Sequence, residues 1–376
     1  MEKKKIAFFI PTIDIGGVEI NTLNLSYSIK NQFGKPLLIY LREKNTELKR
    51  EFSETMALVK MKDRRSIFLF LSFKEMIKRE KPEIIVISSF INLIHLTLLK
   101  KFFHFDLKII FKVETNLERD LSNQSVIDLI LFKLFKNFSF NLCDLVVCSC
   151  NSLQKSFLRT VKIEPHKLKT IYNPVVKNEH LNSSLKSAEH RFFNELNPAR
   201  KVFISIGRLV ESKGFSELIQ TFKKYISIKE DQDAKLLIIG IGPLLDHLNQ
   251  LIESLNIEDS VEIIPFNKSF VRFIQSSNVF VSNSSYEGLN NNIVHALSQG
   301  KKIIATDCEF GPREVLLDGK LGTLIQPGNQ DDLLQAMQNI FENQVVSKEL
   351  LIERSKDFSI DAISKKFISA INSIYL

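Results

Sequence analysis

Tryptophan is absent from the 376 residues, and cysteine occurs four times, as Cys143, Cys148, Cys150 and Cys308. None of the four belongs to a CxxC pair, and no histidine stands at metal-ligand spacing from them, which argues against a zinc ribbon or a thioredoxin-like redox motif. So few cysteines in a chain of this length also argue against a disulfide scaffold; they read as small buried hydrophobes in a reducing compartment. Long hydrophobic runs are lacking too. The longest stretch without Asp, Glu, Lys or Arg, residues 84–99, contains Ser88, Ser89, Asn92, His95 and Thr97, and is too short and too polar to read as a membrane span. The opening MEKKKIAFFIPTID holds a short apolar run stopped by Pro11, so it reads as a strand and not as a signal peptide. There is no complete GxGxxG fingerprint, no internal repeat, no low-complexity segment and no nucleic-acid-binding module.

What the chain has is an uneven charge. The net charge is +8, yet residues 1–180 hold 30 Lys and Arg against 19 Asp and Glu, and the remainder 21 against 24. The excess positive charge of the first half suits an anionic partner, and without a nucleic-acid signature that points to an anionic membrane surface. Within that half, VIDLILFKLFKNFSF (126–140) sets Lys133 and Lys136 beside a wide apolar face, a pattern shared by core helices and interfacial helices.

Apolar periodicity alternates along the chain. Strand runs are KIAFFIP, PLLIYL, PEIIVIS, LKIIFKVE, CDLVVCSC and KLKTIYNPV, with helical spacing after several of them, as in GGVEINTLNLSYSIKN. A polar, non-periodic stretch follows, and the rhythm restarts with KVFISIG, AKLLIIG, SVEIIPF, NVFVSNS and KKIIATD. Repeated βα units predict parallel sheets, and two blocks of them predict two doubly wound domains, with ligands at the carboxyl ends of strands.

Four loops carry candidate chemistry. DIGGVE (14–19) opens a helix with Gly16 and Gly17, where backbone amides can approach an anion, although it reads equally as a plain strand-to-helix turn. GRLVESKGF (207–215) puts Arg208 and Lys213 on one tight loop, as a clamp for a diphosphate or as two solvated charges. IIGIGPLLDHL (238–248) is half a dinucleotide fingerprint without the third glycine or a ribose-reading acid, which argues against a nicotinamide enzyme. SNSSYEGLNNNIVHALSQG (282–300) places Glu287 before a helix, where its two oxygens can accept from adjacent sugar hydroxyls. Leu289, Ile293 and Leu297 recur every four residues and should face the core. At about 100° per residue, His295 lies roughly 200° from Ile293 and shares the opposite face with Gly288 and Asn291.

These pieces, in this order, resemble the retaining glycosyltransferases of family four (glycosyl transferases group 1), of the type that builds bacterial surface polysaccharides. SYEGLNNNIVHAL resembles the family signature of Glu, seven residues and Glu, usually reading EGxPNxxxEAxxxG; GRLVESKG resembles its diphosphate-binding loop; TIYNPV and ATDCEFGPREVLLDGKLGTLI are also typical. The resemblance implies a GT-B α/β fold of two facing Rossmann-like domains with a C-terminal helix crossing back. Residues 1–180 would form the acceptor-binding domain, 181–200 a linker, 201–355 the nucleotide-sugar-binding domain, and 356–376 the returning helix. It implies that Arg208 and Lys213 bind the donor's diphosphate and stabilise it as it leaves. Glu287 would hold the donor sugar with the backbone amides of Gly288, Leu289 and Asn290. Gly16 and Gly17 would approach the diphosphate, the Pro265–Phe266 loop would lie near the nucleobase, and Glu114 would stand where the family often has a sugar-contacting histidine.

The chain departs from the pattern twice. His295 replaces the second glutamate, which in the family holds ribose hydroxyls, and Asn290 replaces the usual proline. A neutral imidazole offers one donor and one acceptor in place of two carboxylate oxygens, a loss of about 1.5–3 kcal/mol. The implied function is transfer of a sugar from a nucleotide-sugar, a UDP-sugar by expectation, to a saccharide or lipid-linked saccharide. No cofactor or metal is expected, and the location would be cytoplasmic, peripheral on the membrane's inner face. The rivals are a catalytically degenerate paralogue that binds glycan, lipid or a partner enzyme, and a nucleotide-sugar epimerase, for which EGLNNNIVHAL is a poor fit.

Overall fold

Strand β1 (Ile6–Ile13) is buried along its length apart from Pro11 and its neighbour Thr12, as a central strand of a two-faced parallel sheet must be. It opens the series α1 (Gly17–Phe33), β2 (Leu37–Glu43), α2 (Thr46–Thr55), β3 (Ala57–Lys60), α3 (Ser66–Glu80), β4 (Ile84–Ile87), α4 (Phe90–Phe103), β5 (Lys108–Val113), α5 (Val126–Leu142), β6 (Leu145–Cys148), α6 (Asn151–Thr160) and β7 (Leu168–Thr170). The structure is a computed structural model that describes residues 4–62, 66–117, 119, 126–181, 187–193, 200–230, 233–342 and 346–375. The chain divides into two compact units, Met1–Pro174 with Ile360–Leu376, and Val175–Ser359.

The first unit is a seven-stranded, all-parallel sheet ordered β3-β2-β1-β4-β5-β6-β7. Chain direction across the sheet reverses between β1 and β4, which makes the carboxyl ends of those strands the switch point where a crevice opens. The phenylalanine-rich composition does structural work here. Phe90 meets Phe132 at 4.8 Å and Phe140 meets Phe157 at 5.0 Å, so one edge of α5 is fastened to α4 and α6. The C-terminal helix, Ile360–Ser373, buries Ile363, Phe367, Ala370 and Ile371 in this unit's core and packs against α1.

The second unit contains α7 (Asn178–Leu181), β8 (Val202–Ile206), α8 (Phe215–Lys229), β9 (Lys235–Ile239), α9 (Leu245–Ser254), β10 (Val261–Ile264), α10 (Phe270–Ser276), β11 (Val279–Ser282), α11 (Asn291–Ser298), β12 (Lys302–Thr306), α12 (Pro312–Val315), β13 (Thr323–Ile325), α13 (Gln330–Asn339) and α14 (Lys348–Lys356). Its sheet is parallel and ordered β10-β9-β8-β11-β12-β13, with the switch point between β8 and β11. Where the chain enters and leaves this unit, the amides of Val175 and Val176 donate to the carbonyl of Phe358, at 2.9 and 3.1 Å.

Both doubly wound units follow the βα rhythm of the sequence. Six named elements add to it, α2, β3, α7, α12, β13 and α14, of which α2, β3 and β13 show why. Helix α2 buries only Leu48, Phe52 and Thr55, and its start is fixed by Asn45, whose side chain accepts the Leu48 amide at 2.7 Å. Strands β3 and β13 are four and three residues long and lie at sheet edges. The first unit ends at Pro174, ahead of the expected 180, and the returning segment begins at Ile360 instead of 356, because α14 runs to Lys356 within the second unit. The expected linker, 181–200, lies largely outside the described residues.

Candidate functional site

In the second unit the candidate residues gather on the two loops that leave β8 and β11, at the switch point. The loops are zipped together. The Ser285 amide donates to Ser212 O at 2.8 Å, and Asn283 Nδ2 donates to Gly214 O at 2.9 Å. Gly214 has φ +63°, and a Cβ there would lie 2.3 Å from Asn283 O, so only glycine fits the turn that launches α8. The half-fingerprint glycines have a packing role. A Cβ on Gly240 would lie 2.2 Å from Gly207 O, and one on Gly242 would lie 2.4 Å from Leu209 O. The two βα loops therefore touch backbone to backbone, and Gly240 and Gly242 set the position of the Arg208 loop.

Glu287 is the centre of this arrangement, with its side chain 11% exposed. Its Oε1 accepts from Lys213 Nζ at 2.5 Å, Ser284 Oγ at 2.6 Å and Asn290 Nδ2 at 3.1 Å. Its Oε2 has no hydrogen bond among the described residues, and it is absent from the buried polar atoms left without partners. Ser284 is itself fixed, its carbonyl accepting Thr306 Oγ1 at 2.5 Å. Asn290 adopts φ 62°, ψ 79°, and its side chain caps α11 by accepting the Ile293 amide at 3.3 Å. Arg208 is exposed on the neighbouring loop. Leu289 points its side chain into the core, 2% exposed, so only its backbone is available to a ligand. A loop carrying two cations beside a fixed carboxylate can bind a phosphate group on one side and a hydroxyl on the other.

His295 does not lie on an open face. Residues 293–298 of α11 are all buried, because α14 covers the side that turns away from the sheet. The spacing argument located the core face correctly, with Leu289, Ile293 and Leu297 buried, but a helix covered on both sides has no free face. The His295 ring is 4.9 Å from Phe270 and 5.7 Å from His180, and Phe270 in turn meets Phe266 at 5.3 Å. Its Nδ1 has no hydrogen-bond partner. Burial, with the His180 and Lys177 charges adding, lowers its pKa to about 3, and burial takes His180 to about 4, so both rings are neutral at pH 7.

In the first unit, Gly16 and Gly17 open α1 at the switch point. Glu19, from the same DIGGVE motif, is a candidate that the sequence reading passed over. Its Oε2 would lie 2.4 Å from a Cβ placed on Gly16, so its carboxyl covers the glycine expected to meet the diphosphate. Burial raises its pKa to about 7, and the Asp14 and Glu114 carboxylates act in the same direction. Glu114, just after β5, forms an ion pair with Lys112 at 2.5 Å, and both side chains are about nine-tenths buried. Helix α5 is fastened along one edge only: Ile127, Ile130 and Leu134 are 67, 52 and 69% exposed, next to exposed Lys133. Among the described residues no helix is long and apolar enough to cross a membrane, and no acidic, histidine or cysteine cluster is suited to a metal ion.

Two family models match, described as Glycosyltransferase Family 4 over residues 15–178 and Glycosyl transferases group 1 over residues 186–360. The chain belongs to this glycosyltransferase family. The match with an uncharacterized glycosyltransferase of Methanocaldococcus jannaschii is 34% identical over 197 residues, 44% of this chain and 48% of that protein. The N-acetylgalactosamine-N,N'-diacetylbacillosaminyl-diphospho-undecaprenol 4-alpha-N-acetylgalactosaminyltransferase of Campylobacter jejuni is 24% identical over 205 residues, 54% of this chain and 53% of that protein. The lipopolysaccharide core biosynthesis glycosyltransferase LpsE of Rhizobium meliloti is 28% identical over 175 residues, 46% of this chain and 48% of that protein. The chain spans about half the length of the curated relatives it matches. Among solved structures, Anabaena HepE in complex with UDP and glucose aligns with TM-score 0.80 at 15% identity, covering 98% of this chain and 100% of that one. A glycosyltransferase from Rickettsia africae aligns with TM-score 0.81 at 17% identity, covering 100% and 99%. These likenesses establish the fold as GT-B.

Proposed function

We propose that this glycosyltransferase moves a hexosyl or N-acetylhexosaminyl group, with retention, from a UDP-sugar to a saccharide or lipid-linked saccharide acceptor in surface-polysaccharide assembly (lipopolysaccharide, capsule or exopolysaccharide). The observation that carries the reading is Lys213 and Glu287 joined at 2.5 Å at the second unit's switch point, on zipped loops that also bear Arg208. Breaking the sugar–phosphate bond leaves positive character on the ring and negative charge on the diphosphate. Fixed cations at Arg208 and Lys213 stabilise that charge more in the transition state than in the ground state. Glu287, through Oε2, holds a sugar hydroxyl, and the amides of Gly288, Leu289 and Asn290 approach the donor. The half-buried Phe266 offers its ring to the base. His295, expected to meet the ribose, is enclosed by Phe270 and His180 and has no face open to it.

In the first unit, Gly16 and Gly17 are the expected donor contacts, with Gly16 covered by the Glu19 carboxyl, and Glu114 is paired with Lys112. The relatives from Campylobacter jejuni and Rhizobium meliloti, by their names, support a polysaccharide role and, in the first case, an undecaprenol-linked acceptor. The apolar stripe of α5 with Lys133, on the basic half of the chain, supports docking on an anionic membrane from the cytoplasmic side. Flotation with vesicles containing phosphatidylglycerol tests this: binding at low salt that disappears at high salt is expected, and no binding at low salt sinks it.

The decisive test of the donor site is titration with UDP, GDP and ADP. Saturable binding of UDP, weakened at least tenfold by Arg208→Ala or Lys213→Ala, is the expected result. The enclosure of His295 at the position of the second glutamate favours one rival, a degenerate paralogue that binds glycan, lipid or a partner enzyme. A folded protein that binds none of the three nucleotides would establish that rival.

A further inference from the structure

We propose that Asn290 is a positioning residue of the donor site: its side-chain amide determines which carboxylate oxygen of Glu287 faces the sugar. The proposal rests on the glycosyltransferase reading and deepens it. Asn290 stands where the family signature usually has proline. Its φ of 62° is inaccessible to proline, whose ring holds φ near −65°, and is one that asparagine tolerates. The substitution therefore goes with a different turn, one that directs a polar side chain inward.

Each polar atom of that side chain is used. Nδ2 donates to Ser282 Oγ at 2.9 Å and to Glu287 Oε1 at 3.1 Å, while Oδ1 accepts the Ile293 amide. With Asn290 only 8% exposed, its amide serves the protein and not a ligand. A carboxylate without fixed partners can rotate and present either oxygen. Here Lys213, Ser284 and Asn290 all donate to Oε1, which fills that oxygen and turns Oε2 outward as the one available acceptor. The three donors come from different places, the β8 loop, the β11 loop and the start of α11, so together they fix the carboxylate in three dimensions. An acceptor held in one direction discriminates between sugar hydroxyls that a rotating one would treat alike.

Two variants separate positioning from capping. Asn290→Asp tolerates positive φ and caps a helix as well as asparagine, but directs a carboxylate oxygen at Glu287 in place of N–H. Asn290→Gly keeps the turn and removes the whole amide, and it carries the comparison if the aspartate variant does not fold. The probes are UDP and a panel of UDP-glucose, UDP-galactose, UDP-N-acetylglucosamine and UDP-N-acetylgalactosamine, alongside crystal structures of the unliganded wild type and variants. The expected result for Asn290→Asp is unchanged affinity for UDP, at least a tenfold loss for the UDP-sugar that wild type prefers, and a Glu287 carboxylate turned away from residue 290. Wild-type affinities together with an unmoved Glu287 would overturn the proposal and leave Asn290 as a helix cap. If wild type binds no UDP-sugar, the donor reading fails, while the position of Glu287 in the unliganded variants still decides the role of Asn290.

Discussion

The two units share a sheet order around their switch points, β3-β2-β1-β4 in one and β10-β9-β8-β11 in the other, and furnish them with opposite charges. In the second unit a single buried carboxylate, Glu287, is surrounded by donors, one of them the Lys213 ammonium, with Arg208 exposed nearby. In the first, the Asp14 and Glu114 carboxylates act on Glu19, and the cations beside them are already paired, Lys112 with Glu114 and Lys44 with Asp14. The same topology provides the place in both cases, and the side chains on the strand-to-helix loops decide the sign of what can bind there. Partner number also separates the glutamates. Glu287, partly buried, accepts three hydrogen bonds on one oxygen; Glu19 has no such set of donors, and its burial, which outweighs a hydrogen bond to its own backbone, raises its pKa to about 7.

The largest effect is expected where the first unit's charges are most deeply paired. Glu114→Ala leaves Lys112 buried without its partner, a loss of about 3–5 kcal/mol, which in a unit of this size lowers Tm by roughly 6–20 °C. Replacing both residues, as Lys112→Met with Glu114→Leu, should recover most of it. If Glu114→Ala unfolds at the wild-type temperature, the contrast between a paired and an unpaired carboxylate in this unit is wrong.

A smaller effect is expected at Glu19. Its folded pKa lies above the ordinary carboxylate value, so wild-type stability is fully present in acid and falls as pH rises from about 4.5 through about 7. Glu19→Gln has no such proton to lose. Its Tm relative to wild type should rise between pH 5 and 8, by roughly 5–10 °C, the shift that ~2.5 kcal/mol produces in a unit of this length. Thermal melts across that range check the sign, and a constant difference would mean that the carboxyl is not held against ionisation.

Long buried strands were easy to read in the sequence, because strands covered on both faces are continuous apolar runs. β1, β8 and β9 are of this kind. Edge strands β3 and β13 bury too few side chains to leave such a run, and α2 is nearly all polar, with two apolar residues one turn apart. The loops bearing Arg208, Lys213 and Glu287 stood out through their resemblance to the family's motifs; spacing alone left Arg208 and Lys213 readable as two solvated charges, and the fold adds the contact between Lys213 and Glu287. Three things were not legible. The enclosure of His295 depends on His180 of α7 and Phe270 of α10, which the sequence of its own helix does not report. Glu19 is unusual only in its burial, which its neighbours in sequence do not report. Asn290 could be read as a substituted proline, but its role appears only once positive φ directs its amide at Glu287.

The contact of Gly240 and Gly242 with the Arg208 loop has a consequence for the cost of binding. A loop held by side chains can rearrange whenever a rotamer changes. Here the backbone of one loop rests on the backbone of the next, with no rotatable group between them at those two points. The support under Arg208 is therefore as stiff as the sheet it grows from, and little backbone freedom is left for a ligand to take away when it arrives. Adding a single methyl group at either glycine would insert a spacer into that joint and displace the loop that carries the cation, without changing the cation itself.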